Sequence, residues 1–187
     1  MSLLLLLNGN NGGAAAPTYA TWNDADAGSG FTFSGDLLTA SHPSGGWASA
    51  RANIGKTSGN WFFTLSVVGN VNCFIGAAVG GTLPAYPGEG GHLSWGLNNA
   101  GYVAGPASLS SSGVSGSLFG CVIKRSTDEI LFYVDGVHTH TFDASAAHGQ
   151  AMFPMVSIYN ENGGPANFGA SAFGMSVPSG VNAGVYS

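Results

Sequence analysis

Charge is what this sequence has least of. Only 7% of its 187 residues are Asp, Glu, Lys or Arg, against roughly a quarter in an average soluble protein. Its basic side chains number four: Arg51, Lys56, Lys124 and Arg125. They are too few and too scattered to neutralise a run of phosphates, which argues against nucleic acid as a partner. The net charge of -5 also disfavours anionic membrane surfaces. Cysteine is nearly absent as well. Two cysteines cannot staple a small secreted scaffold. Cys73 and Cys121 sit in apolar contexts, "NCFIGAAV" and "LFGCVIK", and are expected as buried thiols, with a disulfide between them as the alternative. No apolar run approaches the ~20 residues of a spanning helix, so no membrane insertion is expected. Nor does any stretch combine helical periodicity with freedom from turn residues, which leaves little room for long helices.

What the chain has in quantity is glycine, 31 residues, on a background that is 44% hydrophobic. That combination describes many short strands joined by tight turns. At this length one core is expected. A surface with so little charge resists association poorly, which suggests life inside an assembly.

The longest aliphatic run stands at the start: Leu3, Leu4, Leu5, Leu6 and Leu7. A secretory leader is expected to carry a basic segment and about 7–15 apolar residues, and neither is present. "NGNNGG" follows at once and breaks any helix. The remaining reading is an extended, adhesive arm covering residues 1–16 with its linker, expected to shelter on a sheet or groove of a neighbouring subunit. The alternative is that it tucks against its own domain.

Along residues 17–187 the strand pattern recurs. "TYATW" (18–22) alternates, "NDADAGSG" reads as a turn-rich loop, and "FTFSGDLLTAS" (31–41) as a half-buried strand. "HPSGG" is expected to turn the chain before a strand at 47–53. In "NWFFTLSVVG" Trp61, Phe63, Leu65 and Val67 share one face. Residues 80–91 read as a loop, residues 92–105 as two short strands about a turn at 98–101, and "PASLSSSGVSG" as a polar connection. "SLFGCVIKR" and "EILFYVDGVHTHTF" form a hairpin pair, the second carrying its own type I′ turn at Asp135-Gly136. "DASAAHGQ" suits one short helical turn, and "MFPMVSIYN", "ANFGASAFGMSV" and "GVNAGVYS" complete the strands. The pattern predicts a two-sheet antiparallel sandwich.

Catalytic signatures are missing. There is no Glu-x-Asp-x-Glu strand and no G-x-S-x-G elbow. Asp24 with Asp26, and Asp128 with Glu129, read as solvated turn acids. His138 and His140 fall on one strand face and form a candidate metal pair, although two ligands leave a site incomplete; edge-strand histidines are the plainer reading. Trp61 and Trp95 suit the core. Trp47, Tyr86 and Tyr102 are candidate ligand-facing aromatics bordering a loop surface, or else caps on the sandwich ends.

Five of these segments, in order, resemble the SPRY domain: "SGNWFFTLSV" (58–67), "FIGAAV" (74–79), "SWGLNNAGY" (94–102), "GSLFGCVIKRSTDEILFYVDGV" (116–137) and "MFPMVSIYNENGGPANFG" (152–169). The resemblance runs from about residue 47 to 169. It departs at Thr64, where the family commonly has an acid, and at Lys124–Arg125, near a usual Asp. It implies a jelly-roll, concanavalin A-like sandwich. The closing segment, "ASAFGMSVPSGVNAGVYS", resembles the tail after SPRY-like modules in tailed-phage structural proteins. Together with the arm and the low charge, this leads to the expectation of a non-enzymatic virion component, in a tail fibre, tail tip, head fibre or decoration. The expected partners are other virion proteins through the arm, further copies of itself in a homo-oligomer, and a host-surface glycan or protein, with no cofactor. Its place would be the virion, assembled in the host cytoplasm. A stand-alone carbohydrate- or peptide-binding module is the alternative.

Overall fold

A computed structural model describes residues 15–67, 72–106, 108–111 and 113–187; the leucine arm lies outside them. Strands dominate, in two layers. In the first layer β1 (Trp22–Ala27) and β2 (Thr32–Phe33) flank β3 (Thr39–Ala52), followed in space by β12 (Met152–Asn167), β5 (Cys73–Val79), β6 (Ser94–Asn98), β7 (Tyr102–Gly105) and β8 (Ser108–Ser111). The second layer runs β11 (Val137–Asp143), β10 (Glu129–Val134), β9 (Leu118–Lys124) and β4 (Asn60–Ser66), with β13 (Asn182–Ala183) short and parallel on β4. All other pairings are antiparallel. β12 joins the layers: its first part pairs with β3 and β5, and Ala166 and Asn167 pair with Leu65 and Thr64 of β4.

Alternation builds the core. Ala50, Ala52, Ile75, Ala77, Trp95, Leu97, Val156 and Ile158 point inward from the first layer. Phe63, Leu65, Phe119, Cys121, Ile123, Ile130 and Phe132 meet them from the second. Trp22 and Phe168 sit across the seam, their rings edge to face at 5.0 Å, and Phe168 also stacks on Phe63. The Asp135-Gly136 turn has φ of 47° and 85° at its two central residues, as a type I′ hairpin requires. The helical turn expected near 143–150 is a 3₁₀ turn at Ser145–Ala147.

Four segments depart from the sequence reading. The first full strand is "WNDADA" and not residues 18–22, where only a Tyr19–Tyr186 bridge forms. Trp22 draws it in, fully buried with Nε1 donating to Leu38 O at 2.9 Å, and Asp26 is held by Arg51. "HPSGG" does not end a strand: β3 runs through it with a wide bulge. Trp47 still faces Tyr159 while His42 faces Glu161, and the extra residues are absorbed by Gly45 and Gly46 at φ 105° and 95°. β8 lies within the presumed polar connection. Beyond Asn167 the tail is irregular up to β13, yet it matters: Phe173 packs on Phe62 at 5.0 Å and buries the outward face of β4.

Both cysteines are free and buried. Burial pushes the Cys73 thiol up to about 12 and the Cys121 thiol well above its ordinary value. An aromatic disulfide reagent at pH 8 should therefore titrate no thiol in the folded chain and two after denaturation; a fast-reacting thiol in the native state would contradict this burial. Phe168→Ala should lower unfolding free energy by about 3–5 kcal/mol in urea titration. A loss under about 1 kcal/mol would mean that the seam between the layers is not built on that ring.

Candidate functional site

The outward face of the first layer is prepared for a covering loop. On β5, β6 and β7 that face carries Gly76, Ala78, Gly96 and Ala104, which alternate with the core residues Ile75, Ala77, Trp95, Leu97 and Val103. Loop 80–93 lies on this smooth surface. A Cβ at Gly96 would stand 2.6 Å from Pro87 Cγ, and one at Gly88 (φ 78°) would stand 2.0 Å from Gly105 O. The loop is riveted by polar contacts. Ser49 and Ser157 both donate to Ala85 O, at 3.0 and 2.7 Å, Gly88 N donates to Ser94 Oγ at 2.8 Å, and Glu89 accepts from Ala85 N at 2.6 Å. Arg51, nearly buried, forks onto Asp26 with two 2.8 Å contacts and reaches Gly81 O at 2.6 Å and Val79 O.

Beside the loop, at the end of the sheet marked by Trp47, lies a cavity of about 320 Å³ lined by Trp47, Asn72, Phe74, Tyr86, Asn98, Tyr102 and Leu109. Its floor is a row across the strands, Phe74 opposite Asn98 and then Tyr102 and Leu109, and Tyr159 stands beside it opposite Trp47. Trp47 packs on Phe74, Tyr159 and Tyr86 with ring centres 5.3, 5.4 and 6.5 Å apart. The three aromatics singled out from the sequence therefore stand on one wall system, brought there from β3, the covering loop and β7. Leu109 and Tyr159 were missed. Leu109 sits in a Ser-rich segment that gives no strand signal, and Tyr159 belongs to a strand whose pattern reads as core.

Of the large apolar side chains exposed among the described residues, Tyr86 (38%), Tyr102 (47%), Leu109 (64%) and Tyr159 (40%) gather here; only Val137 lies elsewhere. Asn98 Oδ1 accepts from the backbone N–H of Ala100 and Tyr102, which fixes the turn that places the Tyr102 ring.

A second, more polar cavity of about 660 Å³ lies on the other side of Trp47, along Gly28, Ser29, His42, Ser49 and Glu89. His42 is buried there, and its Nε2 meets Ser29 O at 3.1 Å.

The remaining candidates separate. A bulge at Thr139 breaks the alternation of β11: His138 pairs with Tyr133 and packs on it, whereas His140 pairs with Phe132 and packs on Phe142 at 4.5 Å. Tyr133 and Phe132 are neighbours on opposite faces of β10, so the two imidazoles leave on different sides and form no ligand pair. The expected pair of turn acids is also redistributed. Asp26 is an edge-strand acid bound to Arg51, and Asp128 is largely buried, 3.0 Å from Arg125 and in contact with His148. Glu129 holds Lys124 at 2.7 Å, and that contact lowers its carboxyl pKa. The last basic residue, Lys56, lies 3.8 Å over the Trp61 ring and donates to Tyr186 O, which clamps the tail.

No protein-family model matches the sequence, and no curated protein does. Solved structures do match. The chain is similar to the TRIM65 PSpry domain, with a TM-score of 0.67 and 17% identity over 80% of this chain and 92% of that one. It is similar to the SPRY domain of human HERC1, at 0.62 and 19%, over 78% and 94%. It is also similar to stonustoxin, at 0.65 and 16%, over 80% of this chain and 27% of the toxin chain. At such identities the likeness concerns the fold, which is a SPRY-like, concanavalin A-like sandwich.

Burial, and secondarily the neighbouring His138, hold the His140 pKa below its usual 6.5. The folded chain then binds fewer protons at this ring than the unfolded one. Its contribution to stability is present above about pH 6.5 and is lost as pH falls through the lower folded value. In an NMR pH titration the His140 ring should turn over below 6.5; a midpoint at or above that value would place the ring in water.

Proposed function

We infer that this chain works by binding and not by catalysis, as a structural component of a tailed-phage particle. Its N-terminal arm anchors it, and the sandwich presents the aromatic groove lined by Trp47, Phe74, Tyr86, Tyr102 and Leu109, with Tyr159 packed on Trp47 beside it. The observation that carries this reading is the exposure of four large apolar side chains around a single groove, on a chain with little charge elsewhere. Patches of that kind mark interaction sites, and Trp and Tyr are the residues that interfaces favour. The groove is preorganised, because Tyr86 rides on a loop fixed by Arg51 and three serine hydroxyls. Low ordering cost on binding follows from that.

Three of the four acids singled out in the sequence are committed to structure: Asp26 to Arg51, Asp128 to Arg125 and Glu129 to Lys124. The same pairs occupy three of the four basic side chains, and Lys56 is occupied by Trp61 and the tail, which leaves no cluster to meet phosphates. The phage assignment is supported by the leucine arm, the sparse charge and the resemblance of residues 170–187 to the tails of phage structural modules. In this role the chain resides in the virion, forms a homo-oligomer and is assembled in the host cytoplasm.

A stand-alone module that binds carbohydrate or peptide is the second reading. It is favoured by Asn72 and Asn98 beside the rings, since a sugar uses both amides and aromatic faces. Deletion of residues 2–13, followed by quantification of the chain in purified particles, tests the anchor. Incorporation should fall at least roughly tenfold. Unchanged incorporation would remove the arm from the role, and binding of a glycan array by the arm-deleted monomer would favour the second reading.

A further inference from the structure

We propose that the aromatic groove is the seat for the leucine arm of a neighbouring copy of this chain. The inference rests on reading the arm as an anchor and names the surface that receives it.

The chemistry of the two parts agrees. Residues 1–14 contain no charged side chain, and neither does the groove lining. Five consecutive leucines in water have every reason to find an apolar floor, and in the groove Tyr102 and Leu109 expose apolar surface beside Trp47 and the buried Phe74. The periodicity agrees too. In an extended segment Leu3, Leu5 and Leu7 project to one side about 6.6 Å apart, twice the strand rise. The groove crosses strands that end in an edge: β8 closes the first layer, with Leu109 on the groove side and no further strand beside it among the described residues. An added extended segment would take main-chain hydrogen bonds from that edge and set alternate side chains beside Leu109, at the open end of the groove.

The described chain shows where the arm begins. Thr18 O accepts from Ser187 N, Tyr19 bridges Tyr186, and Thr21 bonds Asn53. β1 starts opposite Ala52 and runs toward the Trp47 end. Traced backward, the described chain reaches the far end of the sandwich, about 20 Å from Trp47 along β3, a spacing of six residues. The occupant is the arm of a neighbouring copy; an arm folded back onto its own groove would leave the wild type at the mass of one chain. Arm into groove is a heterologous contact, which closes into a ring or grows as a fibre.

The test compares three full-length proteins by light scattering over a concentration series: the wild type, an arm variant Leu3→Asp/Leu5→Asp, and a groove variant Tyr102→Ser/Leu109→Asp. The groove positions are exposed, so folding should survive, and circular dichroism with Tm checks this. The wild type should exceed the 18.8 kDa of one chain as concentration rises, and each variant should associate at least roughly tenfold more weakly. An equimolar mixture of the two variants still has one intact arm and one intact groove on different chains, so it should recover a complex of two chains and no larger one. The proposal is overturned if the wild type stays at the mass of one chain, if association survives in both variants, or if the mixture does not pair. It is equally overturned if the wild type is monomeric and the groove variant loses binding to a glycan array. Arm-dependent particle incorporation with no arm–groove pairing would sink this inference and leave the anchor reading standing, with its receptor on another protein.

Discussion

One carbonyl organises the outer side of this sandwich. Ala85 O accepts both Ser49 Oγ and Ser157 Oγ, which come from adjacent strands of the first layer. Two buried hydroxyls on a sheet surface would otherwise lack partners, at roughly 1–3 kcal/mol each. Arg51 adds a charged rivet at the root of the same loop, where its guanidinium is nearly buried and satisfied by one carboxylate and two carbonyls. A buried charge left without those partners is costly, so the loop has one place to lie. Everything described at the groove follows from that placement, because Tyr86 is its wall and Pro87 and Gly88 fit only against Gly96 and Gly105.

The scarcity of charge takes on a structural meaning in this light. Each basic side chain closes a gap that the core leaves open. Arg51 pins the covering loop, and Lys56 pins the tail through Trp61 and Tyr186. Lys124 ties across the β9–β10 hairpin, and Arg125 holds the 3₁₀ turn through Ala147 O at 3.0 Å. With its cations used internally, the net charge of -5 rests on acids that have no cationic partner.

Much of the fold was legible because β-structure announces itself locally. Phe63 and Leu65 alternate into the core as their spacing demands, and Asp135-Gly136 turns as that dipeptide must. The failures share a cause, which is that a distant partner decided the outcome. "WNDADA" looks like a loop until Arg51 claims Asp26. "HPSGG" looks like a turn until β12 supplies a partner strand on both sides of the bulge. Phe62, on the polar-looking face of β4, is buried under Phe173 from the tail and Tyr133 from β10. The same holds at the groove. Trp47, Tyr86 and Tyr102 could be picked out as aromatics in turn-rich settings, but Leu109 and Tyr159 have no local mark, and only the cross-strand register assembles them into one surface. The two histidines of β11 show the converse: period-2 reasoning placed them together, and one extra residue, Thr139, sends them apart.

The sheet edges explain why association would choose the groove. β1 carries Asp24 and Asp26 along its length, and charge on an edge discourages pairing. β11 is bulged at Thr139 and carries two histidines, two threonines and an aspartate, so its ladder is both twisted and polar. β8 has neither protection. It is short, its named side chains beyond Leu109 are small hydroxyls, and it stands directly beside the apolar floor. A strand added at β1 or β11 would meet charge or a distorted ladder, whereas one added at β8 gains main-chain bonds and buries aromatic surface in the same movement. Of the three longer edges, β1, β11 and β8, the fold guards two and leaves open the one where an uncharged, leucine-rich segment would gain most.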